Sequence, residues 1–156
     1  MKAVKIIVLE SSDSSISQII EILRNNGFYV DICSNNNEFL ECIYNNLYDL
    51  YLININEKSL PRFQLIQLLN EYKDVTMKMV IASIPNIIKP SFLSGCDECV
   101  IRNIDEQEIL LRIKALIRRQ YKVYTDSIIL KENTKYEIFN KKVLKNKDEI
   151  ILGDKA

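Results

Sequence analysis

Short apolar runs alternate with segments of helical periodicity along most of this chain, and this order constrains the fold more than any other feature. Five such runs occur before residue 103, and apolar residues in the segments between them recur three or four positions apart. The runs are typical of buried parallel strands, and the segments of helices that cover both faces of a sheet. The pattern predicts an α/β fold: a flavodoxin-like (βα)5, doubly wound parallel sheet.

The apolar pattern also places the individual elements. The predicted strands are Val4–Leu9, Tyr29–Cys33, Asp49–Ile55, Met77–Ile84 and Glu98–Arg102. The predicted helices are Ser14–Asn26, Asn36–Asn46, Phe63–Tyr72, a short helix beginning near Pro90, and Asp105–Tyr121. Asn35 with Glu38, and Asp105 with Glu108, have the spacing of capping boxes at two of the helix starts.

Residues 1–121 are therefore predicted to form one domain, and the pattern changes in residues 122–156. This tail has short alternating segments separated by polar turns: Ser127–Leu130, Lys135–Phe139, Lys142–Leu144 and Glu149–Leu152. Such spacing predicts a small antiparallel β-sheet. A sheet of that size has little core, so we expect it to be the start of a second, truncated domain.

Charge and hydropathy narrow the class of protein. The chain has 21 basic and 21 acidic residues, and dividing it after Arg119 leaves neither part with the basic excess of a complete DNA-binding surface. No apolar run approaches the roughly 18 residues that a membrane span needs. Polar residues follow the N-terminal MKAVKIIVLE segment, which favours a strand over a signal peptide. We therefore expect a cytoplasmic protein that has no membrane partner.

The cysteines do not predict a metal or cofactor site. The chain has four cysteines, Cys33, Cys42, Cys96 and Cys99, and no histidine. A structural zinc site normally takes four ligands, and the chain contains a single Cys-x-x-Cys pair, Cys96 with Cys99. A redox role for that pair is an alternative, but we expect isolated, reduced thiols.

The carboxyl ends of the strands are where a ligand site is expected, because ligands of open α/β sheets bind there. These ends carry Glu10 and Ser11, Asn54, Ser83, and Arg102 with Asn103. The chain shows no paired nucleophile and base and no glycine-rich phosphate loop. We therefore predict a binding module with no catalytic residues, and not an enzyme.

Three segments, in this order, resemble the response-regulator receiver (CheY-like) family. YDLYLIN at 48–54 is similar to the family's third strand, which ends at the phosphoacceptor, and GCDECVIRN at 95–103 is similar to the start of its fifth strand. LLRIKALIRR at 110–119 is similar to the last helix of the OmpR/PhoB-type branch. The resemblance covers residues 4–120, and the tail at 127–152 is similar to the N-terminal sheet of that branch's winged-helix effector domain.

The resemblance implies a phosphorylation pocket, and here that pocket is degenerate. In the family it consists of an acceptor aspartate, an acidic pair that holds magnesium, a hydroxyl residue and a lysine. The matching positions hold Asn54, the pair Glu10 and Ser11, Ser83, and Arg102. Cys99 stands where the family has an aromatic switch residue.

The altered pocket has a physical consequence. Glu10 and Arg102 give it a formal charge of about zero, whereas three carboxylates and a lysine would give about −2 and favour a hard divalent cation. An asparagine amide is not a carboxylate nucleophile and does not form an aspartyl phosphate. We expect Glu10 and Arg102 to form a salt bridge that makes a metal unnecessary.

The resemblance also implies a homodimer through the fourth and fifth helices. In the OmpR/PhoB-type branch, acidic residues before the fifth strand pair with an arginine of the last helix across a two-fold axis. The residues at the matching surface are Asp97, Glu98, Glu108 and Arg112. A two-fold interface repeats each such pair twice.

The predicted function is an atypical, phosphorylation-independent response regulator that controls a C-terminal DNA-binding domain and so regulates transcription. DNA contact would come through a missing C-terminal part, and no cognate histidine kinase is required. One alternative is a conventional magnesium-dependent phosphoacceptor receiver that uses another carboxylate, such as Asp13 or Glu57. A second is a flavodoxin-like enzyme or flavin protein.

Overall fold

The computed structural model of the chain describes residues 3–12 and 15–120. The predicted antiparallel sheet in residues 122–156 and the alternative acceptor Asp13 lie outside these residues. Within the described part, no helix has the length and apolar content needed to cross a membrane.

A five-stranded parallel sheet in the order β2-β1-β3-β4-β5 forms the centre of the fold. The strands are β1 Lys5–Leu9, β2 Tyr29–Cys33, β3 Leu50–Ile55, β4 Met77–Ala82 and β5 Glu98–Ile101. The helices are α1 Ser17–Asn25, α2 Asn36–Asn45, α3 Pro61–Glu71, α4 Ile88–Ser94 and α5, residues 106–120. This α/β architecture, with its parallel sheet and five helices, confirms the predicted CheY-like flavodoxin fold.

Two apolar clusters lie on opposite faces of the sheet, because successive side chains of a strand point to opposite faces. One face packs Ile6, Val8 and Leu52 against α1 and α5. The other packs Ile7 and Leu9, with neighbouring residues of β3 and β4, against α2 and α3. All six residues of β3 are buried, which explains why this strand has a continuous apolar sequence with no alternation.

Helices α1 and α4 begin at residues other than those predicted. The first helix begins at Ser17 and not at Ser14, because Glu10 and Ser15 accept hydrogen bonds from the main-chain nitrogens of Ile16 and Ser17. These acceptors take the place of a further helical turn. Helix α4 follows a 3₁₀ turn at Pro85–Ile87, so the helical segment begins before Pro90, which lies within the first turn of α4.

One predicted capping box is partly confirmed. The Asn35 side chain accepts a hydrogen bond from the Glu38 nitrogen at 2.9 Å, but the Glu38 carboxylate returns to the nitrogen of Ser34 and not to that of Asn35. The second predicted capping box, Asp105 with Glu108, was wrong. The Glu108 carboxylate accepts hydrogen bonds from Arg112, one turn further along α5.

Candidate functional site

Asn54 and Glu10 form the centre of a polar cluster at the carboxyl ends of β1 and β3. Asn54 is fully buried, and its Nδ2 donates to Glu10 Oε1 at 3.1 Å. The Glu10 carboxylate also accepts from the main-chain nitrogens of Ser11 at 2.9 Å and Ile16 at 3.0 Å, and from Ser15 Oγ at 3.1 Å. Glu10 therefore caps the start of α1 and binds the Asn54 side chain.

The predicted salt bridge between Glu10 and Arg102 does not form. The main-chain nitrogen of Arg102 donates to the Ala82 oxygen at 2.8 Å, but its side chain is exposed and lines an open cavity beside Ser15 and Glu106. Within the described part of the chain, no ion pair joins Arg102 to Glu10. The prediction was wrong because donors of the α1 start and Asn54 already occupy the Glu10 carboxylate.

The cation that does reach the strand ends is Arg62, in the first turn of α3. Its Nη1 donates to the main-chain oxygens of Leu9 at 3.2 Å and Asn54 at 2.6 Å. Its Nη2 donates to the main-chain oxygens of Glu10 at 2.8 Å and Ser34 at 3.2 Å. One guanidinium thus ties together β1, β3 and the residue that follows β2.

Arg62 is a buried charge, since only 8% of the residue is exposed. Burial lowers the pKa of its guanidinium from the ordinary value, and the nearby Glu10 carboxylate opposes that shift. Arginine nevertheless stays protonated at neutral pH. A fixed positive charge therefore lies beside Glu10, and the neutralising cation of the pocket is Arg62 and not Arg102.

Sequence reasoning missed Arg62 because the third helix was predicted to begin at Phe63, which left Arg62 in a loop. A signal was nevertheless present. In a βα unit, the first turn of the helix lies near the edge where the preceding strand ends. A long cationic side chain in that turn can therefore reach the strand ends, and Arg62 is the arginine of that turn.

Asn56 is a second missed member of the cluster. It is 5% exposed, and its Nδ2 donates to Ser11 Oγ at 2.9 Å. Its Oδ1 accepts from the nitrogen of Lys58 at 2.8 Å and from Ser59 Oγ at 2.7 Å. Asn56 thus holds the loop after β3 and occupies the hydroxyl of Ser11.

The hydrogen bonds of Ser83 do not include the side chains of this cluster. Its Oγ donates to Glu57 Oε1 at 3.1 Å, and its main-chain nitrogen donates to the Ile55 oxygen at 3.1 Å. Glu57 is exposed. Among the five predicted pocket residues, Glu10 is therefore hydrogen-bonded directly to Asn54. Ser11 is bonded through Asn56 to the loop that follows β3. The hydrogen bonds of the cluster do not include the side chains of Ser83 or Arg102.

The cluster does not suit a hard divalent cation such as the magnesium of phosphorylated receivers. Such an ion prefers several carboxylate or carbonyl oxygens as ligands. Here the Glu10 carboxylate already accepts hydrogen bonds from four donor groups. The guanidinium of Arg62 occupies the main-chain oxygens of Glu10 and Asn54. Among the described residues, no three His, Cys, Asp or Glu side chains are grouped to hold a metal ion.

Cys99, which the resemblance places at the switch position, is 8% exposed on β5. Burial raises the pKa of its thiol to about 11, and a hydrogen bond with the Ser91 side chain opposes that shift. Cys33 and Cys42, by contrast, lie in contact, with the two Sγ atoms 3.4 Å apart. All four cysteines are free thiols, as predicted, but the prediction that they are isolated was wrong for Cys33 and Cys42.

The residues of the predicted dimer surface make contacts within the chain. Arg112 forms salt bridges with Glu98 at 3.0 Å and with Glu108 at 2.8 Å. The Asp97 carboxylate accepts a hydrogen bond from the nitrogen of Lys78 at 2.8 Å. A pair across a two-fold axis would therefore have to replace or share these bonds, and the dimer stays a prediction.

Comparison with known proteins supports the fold and the family resemblance, although no family model matches the chain. The chain is 25% identical over 118 residues to "Response regulator ArlR" of Staphylococcus saprophyticus, covering 74% of this chain and 53% of that protein. It is 25% identical over 116 residues to "Transcriptional regulatory protein SrrA" of Staphylococcus aureus, covering 74% and 48%. It thus spans about half the length of these curated relatives.

Solved structures of receiver domains share the fold of this chain. The response regulator receiver domain protein (CheY-like) from Methanospirillum hungatei aligns with a TM-score of 0.66 and 20% identity, over 78% of this chain and 98% of that one. That degree of identity shows the fold alone. Together, the relatives and the structural neighbours support the prediction that this chain contains a CheY-like receiver domain of a two-component response regulator.

Proposed function

We propose that the chain is the receiver part of an atypical response regulator that works without phosphorylation and controls an attached DNA-binding domain. One observation carries the proposal. The buried guanidinium of Arg62 donates to main-chain oxygens at the ends of β1 and β3, and thereby binds together the strand ends where a phosphorylated receiver holds its metal and phosphoryl group. The strand ends are stabilised by a cation of the chain itself.

The chemistry of the acceptor position supports the same conclusion. Asn54 presents a neutral amide, which is not a carboxylate nucleophile, and its Nδ2 is bound to Glu10. Phosphoryl transfer also requires cations that offset the charge of the phosphoryl oxygens. The buried charge of Arg62 offsets that of Glu10, and its two Nη atoms donate to four main-chain oxygens.

The regulatory role rests on resemblance. The two curated relatives are named a response regulator and a transcriptional regulatory protein, and the sequence of residues 127–152 is similar in pattern to the start of a winged-helix effector domain. In this proposal, the receiver positions the DNA-binding domain, as a homodimer through α4 and α5, without a cognate histidine kinase.

The proposal is tested by incubating the chain with acetyl phosphate and magnesium and measuring its intact mass. The unaltered chain should gain no phosphoryl group, and Asn54→Asp alone should gain little, because Ser11 and Arg62 still disfavour the metal. The matched variant Asn54→Asp with Ser11→Asp should gain more. Phosphorylation of the unaltered chain would overturn the proposal.

One observation favours a second candidate, a phosphoacceptor receiver that uses Glu57. Ser83 Oγ donates to the Glu57 carboxylate at 3.1 Å, which brings a carboxylate to the hydroxyl position of the pocket. If the unaltered chain is phosphorylated, Glu57→Gln should abolish the added mass under this candidate. Phosphorylation that persists in Glu57→Gln would exclude Glu57 as the acceptor.

A further inference from the structure

Cys33 and Cys42 form a thiol pair that the proposed function does not use. Cys33 is the last residue of β2 and is 2% exposed, whereas Cys42 lies on α2 and is partly exposed. Their Sγ atoms are 3.4 Å apart. A disulfide bond is about 2.05 Å long, so a small approach of the two side chains would be enough to form one.

We propose that Cys33 and Cys42 are a dithiol modification site at which a hydroperoxide oxidises the pair to a disulfide. Other ligand classes suit the pair less well. Within the part of the chain that the structure describes, no third His, Cys, Asp or Glu side chain joins the two thiols to complete a metal site. Disulfide formation, which needs only the two sulfur atoms, is therefore the reaction that this pair suits best.

The exposure of the two thiols assigns their order in the reaction. The peroxide reacts first with Cys42, the more exposed residue of the pair. Its Sγ attacks one peroxide oxygen and breaks the O–O bond, the departing hydroxide takes the thiol proton and leaves as one water, and Cys42 becomes a sulfenic acid. The Sγ of Cys33 then attacks the Cys42 sulfur, the S–S bond forms, and the sulfenic oxygen leaves as a second water with the Cys33 proton. Two thiols thus lose two electrons, and one peroxide is reduced to two waters.

The surroundings of Cys33 favour a neutral oxidant and a late role for this thiol. Burial, followed by its contact with Cys42 and the nearby Glu38 and Asp31 carboxylates, raises the pKa of Cys33 to about 12. Cys33 is therefore protonated at neutral pH. The same carboxylates repel an anionic oxidant such as glutathione disulfide more than they repel hydrogen peroxide, which carries no charge.

Cys96 and Cys99 provide an internal comparison. Both are 8% exposed, and burial raises the pKa of Cys96 to about 12 and that of Cys99 to about 11. Among the described residues, no sulfur–sulfur hydrogen bond joins them, in contrast to Cys33 and Cys42. Oxidation should therefore select the pair on β2 and α2 over the Cys-x-x-Cys pair.

The disulfide would act on the strand ends through the main chain. The Glu10 nitrogen donates to the Cys33 oxygen at 2.8 Å, and the next residue, Ser34, accepts from Arg62 and donates to Glu38. Drawing Cys33 towards α2 would thus shift bonds of the Arg62 cluster. This regulatory consequence rests on the proposed function, whereas the oxidation itself does not.

The test is oxidation of the full chain with hydrogen peroxide, followed by alkylation of the remaining thiols and digestion after glutamate without a reducing agent. Such cleavage separates all four cysteines, because Glu38 and Glu41 lie between Cys33 and Cys42, and Glu98 lies between Cys96 and Cys99. We expect a linked product of peptides 22–38 and 42–57 that disappears on reduction, with Cys96 and Cys99 alkylated.

The controls are Cys42→Ser, which should eliminate the linked product, and Cys99→Ser, which should leave its yield unchanged. Cys33→Ser should leave Cys42 as a sulfenic acid, which a dimedone probe would trap. Preferential linkage of Cys96 with Cys99, or oxidation of Cys42 that leaves Cys33 free, would overturn the proposal. Phosphorylation in the acetyl phosphate test would overturn the proposed function alone, so the two failures can be distinguished.

Discussion

The two edges of the sheet each contain a buried cation, and the two are bound in different ways. At the carboxyl edge, Arg62 donates to main-chain oxygens of residues 8, 28, 52 and 53 positions away. At the amino edge, Lys78 is 2% exposed, and its Nζ donates to the oxygens of Asp74 at 2.6 Å and Thr76 at 2.8 Å. Arg62 therefore joins distant parts of the chain, whereas Lys78 closes the local turn before β4.

The difference shows that burial of a charge is not by itself a sign of a site. Both hydrogen bonds that the Lys78 Nζ donates go to this turn, and the Tyr51 ring that lies 5.8 Å from the Nζ donates its hydroxyl to Asp74 of the same turn. The contacts of Arg62 fall at the edge where ligands of such sheets bind. Non-local contacts at that edge are what make Arg62 a candidate for function.

The largest expected effect is that of Arg62→Met. The substitution leaves four main-chain oxygens without their donor, two of them in buried and two in partly buried hydrogen bonds. Each unsatisfied buried acceptor is costly, so we expect a loss of about 3 kcal/mol or more in the free energy of unfolding. Urea denaturation measures it. Arg62→Lys should recover only part of the loss, because an ammonium lacks the guanidinium's fork. A loss below about 1 kcal/mol would show that water replaces the guanidinium.

Lys78→Met should have a smaller effect, about 1–2 kcal/mol, because two oxygens lose a donor and both belong to one turn near solvent. Methionine keeps the apolar contact with Tyr51, so packing is largely preserved. Urea denaturation of the two variants side by side gives the comparison directly. A loss for Lys78→Met equal to that for Arg62→Met would remove the distinction between a local and a non-local cation.

The pH dependence should also separate the two cations. Burial lowers the pKa of Lys78, while Asp74 and Asp97 oppose that shift, so the folded chain binds fewer protons at this lysine than the unfolded chain does. The stability contribution of Lys78 therefore rises as the pH increases from its folded pKa towards its unfolded value of about 10.5.

This trend is measured as the unfolding free energy of the unaltered chain minus that of Lys78→Met, from neutral pH to about pH 10. The difference should increase with pH. The corresponding difference for Arg62→Met should stay nearly constant, because arginine remains protonated over that range. A Lys78 difference that decreases with pH would contradict the assigned shift.

The smallest effect is expected for Arg112, an exposed cation that serves as a reference for the buried ones. Its side chain is 42% exposed and pairs with Glu98 and Glu108. Exposed pairs contribute little, so Arg112→Ala should change the unfolding free energy by about 0.2–1 kcal/mol.

Under the predicted dimer, Arg112→Glu should weaken self-association in ultracentrifugation more than Arg118→Glu does, and equal effects would contradict that interface.

The strands and the polar residues at their ends could be predicted because their signals are local. β2 has the predicted bounds, and each of the other strands differs by at most two residues at an end. Apolar periodicity determines these elements wherever one or both faces must be buried. The position of Asn54 at the end of β3 followed from the same pattern, and so did that of Glu10 after β1.

What the pattern did not provide was the partner of each side chain. Glu10 was expected to pair with Arg102 because both lie at strand ends, yet Glu10 binds the start of α1 and Asn54. Charge and position along the chain identified the groups that meet at this edge. They did not indicate that Glu10 would bind the neutral amide of Asn54 and not the cation of Arg102, whose side chain is exposed.

The sequence by itself therefore determined the order of strands and helices, and it determined that an amide side chain, Asn54, lies near the end of β3. Only the tertiary structure decided that Arg62 is the cation at the strand ends and that Cys33 contacts Cys42. The physical reason is that hydrophobic periodicity is a property of neighbouring residues, whereas the reach of a side chain depends on how its helix packs on the sheet. The packing of α2 and α3 brings together groups that are 9 and 52 positions apart.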